Sequence, residues 1–432
     1  MSEQTASNNN ISIQTRLDRN LLPYKGGSCI VWMTLKAPHV VTHGPRAPLN
    51  LALVLDRSGS MSGHKLEYVK RAAIHALKLL DQRDRVALVI YDDEVEVLAP
   101  SQAVDEKARA EMMKLISPIK TGGSTNMGGG WLSGCEQVAG SLDPLATNRA
   151  LLLTDGLANV GIVDREELAR HAKELKLRGI TTTTLGVGAD FDEHMLKAIS
   201  DAGGAHFYFI EKPGDIPDYF ESELGEMLTM VARSLVLAIQ IPADTKVDVL
   251  SEYEYSIRDG VLSIPLGEMA SSQSLDLILR FDLPAAKLGN TFTLLANLSY
   301  QLASTQQSVA VDGDPIILTV VSQRQYEQQP VDMKVADRAV ELEVARAQNE
   351  AMKLDHDGHP DQAAQVLCSL SSTISVAYNS IPSSLSAKDE LSHFSREIAE
   401  KTLSDLERKL KHSANYQHRQ SRPNPKKAED QS

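Results

Sequence analysis

A regular alternation of apolar strands and amphipathic helices occupies the middle of this 432-residue chain. It begins at Leu49–Leu55, a continuous apolar run of the kind that forms a strand covered on both faces. The next segment, Lys65–Leu80, has apolar residues at helical spacing. Strand and helix patterns then alternate as far as Val231. The alternation predicts a doubly wound α/β domain with a mostly parallel sheet, which we expect to span residues 46–233.

The segments on either side of this domain have different patterns. Residues 11–45 contain two alternating strands, and residues 234–325 contain a run of strands with no helices between them. This pattern predicts an antiparallel β-sandwich into which the α/β domain is inserted. From Asp332 the apolar spacing is helical again, so we expect a helical bundle or hairpin over residues 332–412.

Composition and charge bear on the partners and the location that we expect for this protein. The formal net charge is -13, which disfavours nucleic acid as a partner because phosphates require a basic face. We find no apolar run of about 20 residues that could span a bilayer, and no signal peptide in the polar N-terminus. The three cysteines are far apart, as is usual in a reducing compartment, so we expect a cytoplasmic protein. The polar ends, residues 1–10 and 413–432, are predicted to be disordered.

Oxygen-bearing side chains cluster in the loops of the predicted α/β domain. Asp56, Ser58 and Ser60 lie directly after its first strand, and Asp155 follows the strand Ala150–Thr154. A further loop, Thr121–Asn126, adds more hydroxyl groups. Ligands of open α/β sheets bind at the carboxyl ends of strands, where these residues would meet. Oxygen ligands select a hard cation such as Mg²⁺, so the pattern predicts a divalent-metal site.

At these residues the sequence resembles the von Willebrand factor A domain family. Asp56-Arg57-Ser58-Gly59-Ser60 matches the D-x-S-x-S motif of the family, Thr125 its threonine loop, and Thr154-Asp155-Gly156 its closing aspartate. The three motifs occur in the family's order, and the resemblance covers about Asn50 to Val231. It implies a metal-ion-dependent adhesion site whose metal residues are Asp56, Ser58, Ser60, Thr125 and Asp155.

The same resemblance implies a function. In such a site the cation is Mg²⁺, although Mn²⁺ or Ca²⁺ would also accept these oxygens, and a partner protein supplies an Asp or Glu carboxylate as the last ligand. The whole layout is similar to bacterial proteins with a central von Willebrand domain that are thought to act as adaptors or scaffolds. Many of these are associated with AAA+ ATPases of the MoxR type, which makes a MoxR-type system an expected partner. We predict no enzymatic activity and no catalytic residue.

Other interpretations of the same residues remain open. Asp56–Ser60 alone would also suit a loop that caps a helix. Gly59–Lys65 superficially resembles a phosphate loop, but its second glycine falls one place early and Leu66 replaces the Ser or Thr that would hold Mg²⁺. Asp92-Asp93-Glu94 could hold a cation, although a solvated hairpin turn explains it more simply. The remaining alternatives are a Mg²⁺-dependent hydrolase or phosphoryl-transfer enzyme and a purely structural metal site.

Overall fold

The protein is described by a computed structural model that covers residues 10–39, 46–377, 382–400 and 405–420. The strands of these residues are, in chain order, β1 (Ser12–Leu17), β2 (Leu21–Pro23), β3 (Gly27–Lys36), β4 (Leu49–Asp56), β5 (Arg85–Tyr91), β6 (Val95–Ala103), β7 (Thr147–Thr154), β8 (Thr181–Val187), β9 (Gly204–Ile210), β10 (Met230–Gln240), β11 (Lys246–Val249), β12 (Ser256–Arg258), β13 (Val261–Ala270), β14 (Ser274–Leu283), β15 (Thr291–Leu302), β16 (Ser308–Asp312) and β17 (Ile316–Val321).

The α-helices of the described residues follow the same order. They are α1 (His64–Leu79), α2 (Glu106–Ile116), α3 (Met127–Ala139), α4 (Arg165–Leu177), α5 (Glu193–Gly203), α6 (Ile216–Leu228), α7 (Gln323–Gln328), α8 (Met333–His356), α9 (Pro360–Ala377), α10 (Pro382–Ala399) and α11 (Asp405–Gln420). No helix within the described ranges has the length and apolar character needed to cross a membrane.

The chain divides into two compact units. One contains the N-terminal strands, residues Val231–Leu302 and the described residues between 307 and 420. The other is built on residues 46–230 and includes Ala303–Gln306. The predicted fold class is confirmed, because an α/β sheet, additional antiparallel sheets and a helical C-terminal segment are all present.

The α/β unit is a six-stranded sheet with the order β6-β5-β4-β7-β8-β9. All neighbouring strands are parallel except β5 and β6, which form an antiparallel pair. Helices α1, α2 and α6 bury their apolar side chains against one face of the sheet, and α3 and α5 pack on the other. The strand order reverses between β4 and β7, and the helices that follow these two strands diverge at that point. A crevice therefore opens at the carboxyl ends of β4 and β7, where ligands of such sheets bind.

Glycines allow α3 to approach the sheet closely. A β-carbon added at Gly134 would lie 2.3 Å from Val54 Cγ2, and one added at Gly130 would lie 2.5 Å from the Tyr91 ring. Such distances are shorter than any real side-chain contact, so only glycine fits at these two positions. Because α3 begins immediately after the threonine loop, this packing helps to fix the height of that loop above the sheet.

The other unit contains two β-sheets around one apolar core. The first sheet has the order β1-β3-β14-β11, and the second has the order β12-β13-β10-β15-β17-β2, with β16 paired to β15. Strand β3 is buried on both faces: Val31 and Met33 point into the core between the sheets, and Ile30 packs against α8. Helix α8 is also fixed by an ion pair between Arg346 and Asp248 at 2.8 Å.

One sequence prediction about the C-terminus is wrong within the described residues. The polar composition predicts disorder over residues 413–432, but α11 continues through 413–420. The Asn415 side chain is buried there and donates to the side-chain oxygens of Gln348 and Asn349 at 3.2 Å. These hydrogen bonds hold the helix against α8. A prediction from composition alone does not detect such contacts. The rest of the tail and residues 1–9 lie outside the described residues.

Candidate metal site

The predicted site residues meet in the crevice between β4 and β7. Asp56 is the last residue of β4, and Asp155 directly follows β7, so the parallel pairing of these strands places both carboxylates at one edge of the sheet. The loop that holds Ser58 and Ser60 is hydrogen-bonded to the threonine loop. The Gly59 amide donates to the Gly123 carbonyl at 2.9 Å, and a second backbone bond links the same two loops nearby.

The hydroxyl groups of the site lie close together. Ser58 Oγ and Ser60 Oγ are 3.1 Å apart. A β-carbon built on Gly156 would lie 3.3 Å from Ser60 Oγ and 3.6 Å from Thr125 Oγ1, so both hydroxyls face the glycine that follows Asp155. Glycine leaves this space open. The structure therefore brings together all five residues that the sequence singled out: Asp56, Ser58, Ser60, Thr125 and Asp155.

Each carboxylate of the site accepts a hydrogen bond from a hydroxyl group. Asp56 Oδ2 accepts from the Thr154 hydroxyl at 2.6 Å, and Asp56 Oδ1 accepts from the Ser58 backbone amide at 2.7 Å. Asp155 Oδ1 accepts from the Ser60 hydroxyl at 2.6 Å. Both carboxylates are fully buried, whereas Ser60 is exposed. Ser58 and Thr125 are buried as well, so Ser60 marks the side of the site that faces solvent.

Burial makes Asp56 an unusual carboxyl group. Loss of hydration raises its pKa from 3.8 to about 6, the nearby charge of Asp155 adds to this, and hydrogen bonds from Ser58 and Thr154 oppose it. A buried carboxylate whose ionised form is disfavoured is one that a bound cation would stabilise. The donor set fits such an ion: hydroxyl and carboxylate oxygens are hard ligands. The separation of the two serine hydroxyls is also close to the spacing of about 3 Å expected for adjacent ligands of an octahedral Mg²⁺.

Comparison with known proteins identifies the domain that contains the site. The von Willebrand factor type A domain family matches residues 50–222, the segment that contains the whole site. Residues 50–222 form a von Willebrand factor type A domain. Domains of this family are modules for protein–protein interaction and are often metal-dependent.

Relatives of the von Willebrand domain protein cover different shares of the chain. An uncharacterized protein, sll0103, of Synechocystis sp. is 28% identical over 311 residues, which are 69% of this chain and 72% of that protein. The uncharacterized protein YfbK of Escherichia coli is 31% identical over 193 residues, which are 44% of this chain but only 33% of that protein.

The solved structure of a von Willebrand factor type A protein from Catenulispora acidiphila is similar over 84% of this chain and 88% of its own, with a TM-score of 0.65. Its sequence identity is 18%, so it supports the fold alone.

The site of the von Willebrand domain involves residues that the sequence prediction does not include among the metal residues. Thr154 holds Asp56, and the Asn159 side chain accepts from the Thr125 amide at 2.8 Å, which fixes the threonine loop. Lys65, on the first turn of α1, donates to Asp155 Oδ2 at 2.5 Å. Thr154 could have been recognised from its place beside Asp155 in the motif. The contact of Lys65 depends on the direction of a long side chain, and the spacing of residues does not reveal it.

Two alternative interpretations can be compared with the geometry. Asp92-Asp93-Glu94 is the turn between β5 and β6, and Asp92 pairs with Arg57 at 3.1 Å, as a structural hairpin turn would. In the phosphate-loop interpretation Lys65 would bind a phosphate group, but its ammonium group is instead paired with Asp155. Among the described residues there is no cluster of three or more His, Cys, Asp or Glu side chains that could hold a metal. The candidate site has only two acids, and its other ligands are hydroxyl groups.

Proposed function

We propose that this protein is a divalent-metal-dependent interaction module that binds a carboxylate of a partner protein, as an adaptor or scaffold would. The metal would be Mg²⁺, or Mn²⁺ or Ca²⁺ in its place, held by Ser58, Ser60 and Thr125 with Asp56 and Asp155 beneath them. The observation that carries the proposal is the arrangement of the hydroxyls: Ser58 Oγ and Ser60 Oγ lie 3.1 Å apart beside two buried carboxylates, and Ser60 is exposed to solvent.

This arrangement favours binding of an anion from outside. Neutral hydroxyl ligands neutralise a cation less than carboxylates would, so the bound metal keeps its attraction for negative groups. The exposed position of Ser60 leaves room for a ligand on the solvent side. An Asp or Glu side chain of a partner supplies the charge and the hard oxygen that such a cation requires.

The same geometry argues against the hydrolase alternative. A nucleophilic aspartate must reach its substrate, but Asp56 and Asp155 are fully buried, and three of their four oxygens accept from hydroxyl or backbone groups and the fourth from Lys65. A binding role therefore fits the contacts of these side chains better than catalysis. The MoxR-type ATPase system remains a predicted partner, and the cytoplasm remains the predicted location.

Affinity capture with the full chain tests the proposal. The wild type and the variant Ser58→Ala/Ser60→Ala are compared in Mg²⁺ and in chelator, and Ser62→Ala serves as a matched control because Ser62 is an exposed serine of the same loop. We expect a partner that the wild type and the control capture only in Mg²⁺ and that the double variant does not capture. Capture of the same proteins by every variant in both conditions would refute the function.

A further inference from the structure

A lysine ammonium group lies inside the candidate site. Lys65 Nζ donates to Asp155 Oδ2 at 2.5 Å, while Asp155 Oδ1 accepts from the Ser60 hydroxyl at 2.6 Å. Lys65 and the predicted metal ligand Ser60 are thus bonded to opposite oxygens of one carboxylate. This places the ammonium within about 7 Å of the Ser60 hydroxyl, since two hydrogen bonds and one carboxylate separate them. The Lys65 side chain is only 24% exposed, so water screens its charge incompletely.

The charge of Lys65 changes the electrostatic balance of the site. With Asp56 and Asp155 alone, a divalent cation would bring the site to neutrality. Lys65 leaves one positive charge in excess. A positive charge repels a cation and attracts an anion, so its effects on the metal and on a carboxylate have opposite signs. At about 6 Å, even with the dielectric constant of water, a unit charge changes the affinity for a divalent ion about tenfold and that for a carboxylate about threefold.

We propose that Lys65 weakens the binding of the metal to this site and strengthens the attraction of the bound metal for a carboxylate. The inference rests on the proposed function. Its consequence is that the cation and the partner bind cooperatively. Lys65 offsets the negative charge of Asp155, and the partner carboxylate supplies a negative charge in its place. A metal-loaded site without a partner would release its metal readily, and a site engaged with a partner would retain it.

Variants of the full chain separate this role from a structural one. Lys65→Met removes the charge and keeps a side chain of similar length, and Lys65→Gln removes the charge but keeps a donor for Asp155. Lys65→Arg keeps the charge. Lys70→Met is the matched control, because Lys70 lies on the same helix and pairs with Glu67 at 2.9 Å. It controls for the loss of one lysine charge elsewhere on α1.

The first measurement is titration of each protein with Mg²⁺ by calorimetry. We expect both charge-removing variants to bind Mg²⁺ about tenfold more tightly than the wild type, and Lys65→Arg and Lys70→Met to bind it as the wild type does. A merely structural lysine would give the opposite result, because its loss would loosen the site and weaken metal binding. Circular dichroism confirms that each variant is folded, and the two charge-removing variants provide independent tests.

The second measurement uses acetate as the carboxylate and Mn²⁺ as a paramagnetic probe. Broadening of the acetate methyl signal by protein-bound Mn²⁺ reports acetate at the metal, and we expect it to fall about threefold in Lys65→Met and Lys65→Gln. Equal or weaker Mg²⁺ binding by these folded variants, with normal binding by the wild type, would overturn the role of Lys65 alone. Absence of Mg²⁺ binding in the wild type and in both variants would overturn the proposed function as well.

Discussion

Replacement of Asp56 by asparagine should stabilise the metal-free protein. The carboxyl group of Asp56 is fully buried, and burial raises its pKa from 3.8 to about 6. A folded-state pKa above the unfolded value means that the stabilising contribution of this group is complete below pH 3.8 and is lost as the pH rises through about 6. At pH 7 the ionised carboxylate therefore costs the folded state about 3 kcal/mol, or about 1.4 kcal/mol for each pH unit of the shift.

Part of this gain is offset by a changed hydrogen bond. The asparagine oxygen can still accept from the Ser58 amide. Its NH₂ group, however, would face the Thr154 hydroxyl, which in the wild type donates to Asp56. Thr154 can instead donate to the Gly156 carbonyl, 3.4 Å away. A weakened hydrogen bond costs about 1 kcal/mol. We therefore expect Asp56→Asn to raise the free energy of unfolding by about 2 kcal/mol at pH 7 in chelator.

Urea denaturation followed by the fluorescence of Trp131 measures this effect. Trp131 is fully buried in the von Willebrand domain and donates to Thr182 at 3.1 Å, so a Trp32→Phe background makes the signal specific for that unit. The gain should be lost as the pH falls below 3.8, where Asp56 becomes protonated in both states. The exposed residue Asp190 provides the control Asp190→Asn. An Asp56→Asn protein that is less stable than wild type at pH 7, or a difference that does not change with pH, would refute the reasoning.

Further predictions use the same denaturation assay. Arg149 and Glu223 form a fully buried ion pair at 2.6 Å, so Arg149→Met and Glu223→Gln should each cost about 3–5 kcal/mol, and the double variant less than their sum. The charges of His206 and Arg149 outweigh burial and hold the pKa of Glu223 well below its usual value, so wild-type stability should fall as the pH decreases below 4.5, and Glu223→Gln should flatten that decline. Gly134→Ala should cost about 2 kcal/mol by overpacking, whereas Gly140→Ala, whose added carbon meets nothing closer than 3.5 Å, should be tolerated.

The fold of the α/β unit and the place of its site could be predicted from sequence because both follow from local patterns. The apolar run Leu49–Leu55 matches β4, which ends one residue later at Asp56. Parallel strands that alternate with helices place their carboxyl ends at one edge, so acids and hydroxyls just after those strands must lie near one another. Asp56 and Asp155, 99 positions apart in sequence, meet for this reason.

Other features depend on contacts that no local pattern contains. The ion pair of Arg149 and Glu223 joins the start of β7 to α6, and either residue alone would be read as a surface charge. The helical spacing of Lys65–Leu80 places Lys65 near the start of a helix, but its bond to Asp155 depends on side-chain direction. The helix at 413–420 is polar, and its stabilising partners Gln348 and Asn349 lie on α8, more than 60 positions away in sequence. These features require the folded arrangement of the chain.

Direct titration of the full chain with Mg²⁺ tests the central claim that Asp56, Ser58, Ser60, Thr125 and Asp155 form a metal site. Calorimetry should show one Mg²⁺ bound to each wild-type chain. The variant Ser58→Ala/Ser60→Ala loses two hydroxyl ligands and should show no binding at the same concentrations, while Ser62→Ala should bind as the wild type does. Equal binding by the wild type and the double variant would contradict the account, as would a wild-type protein that binds no divalent cation.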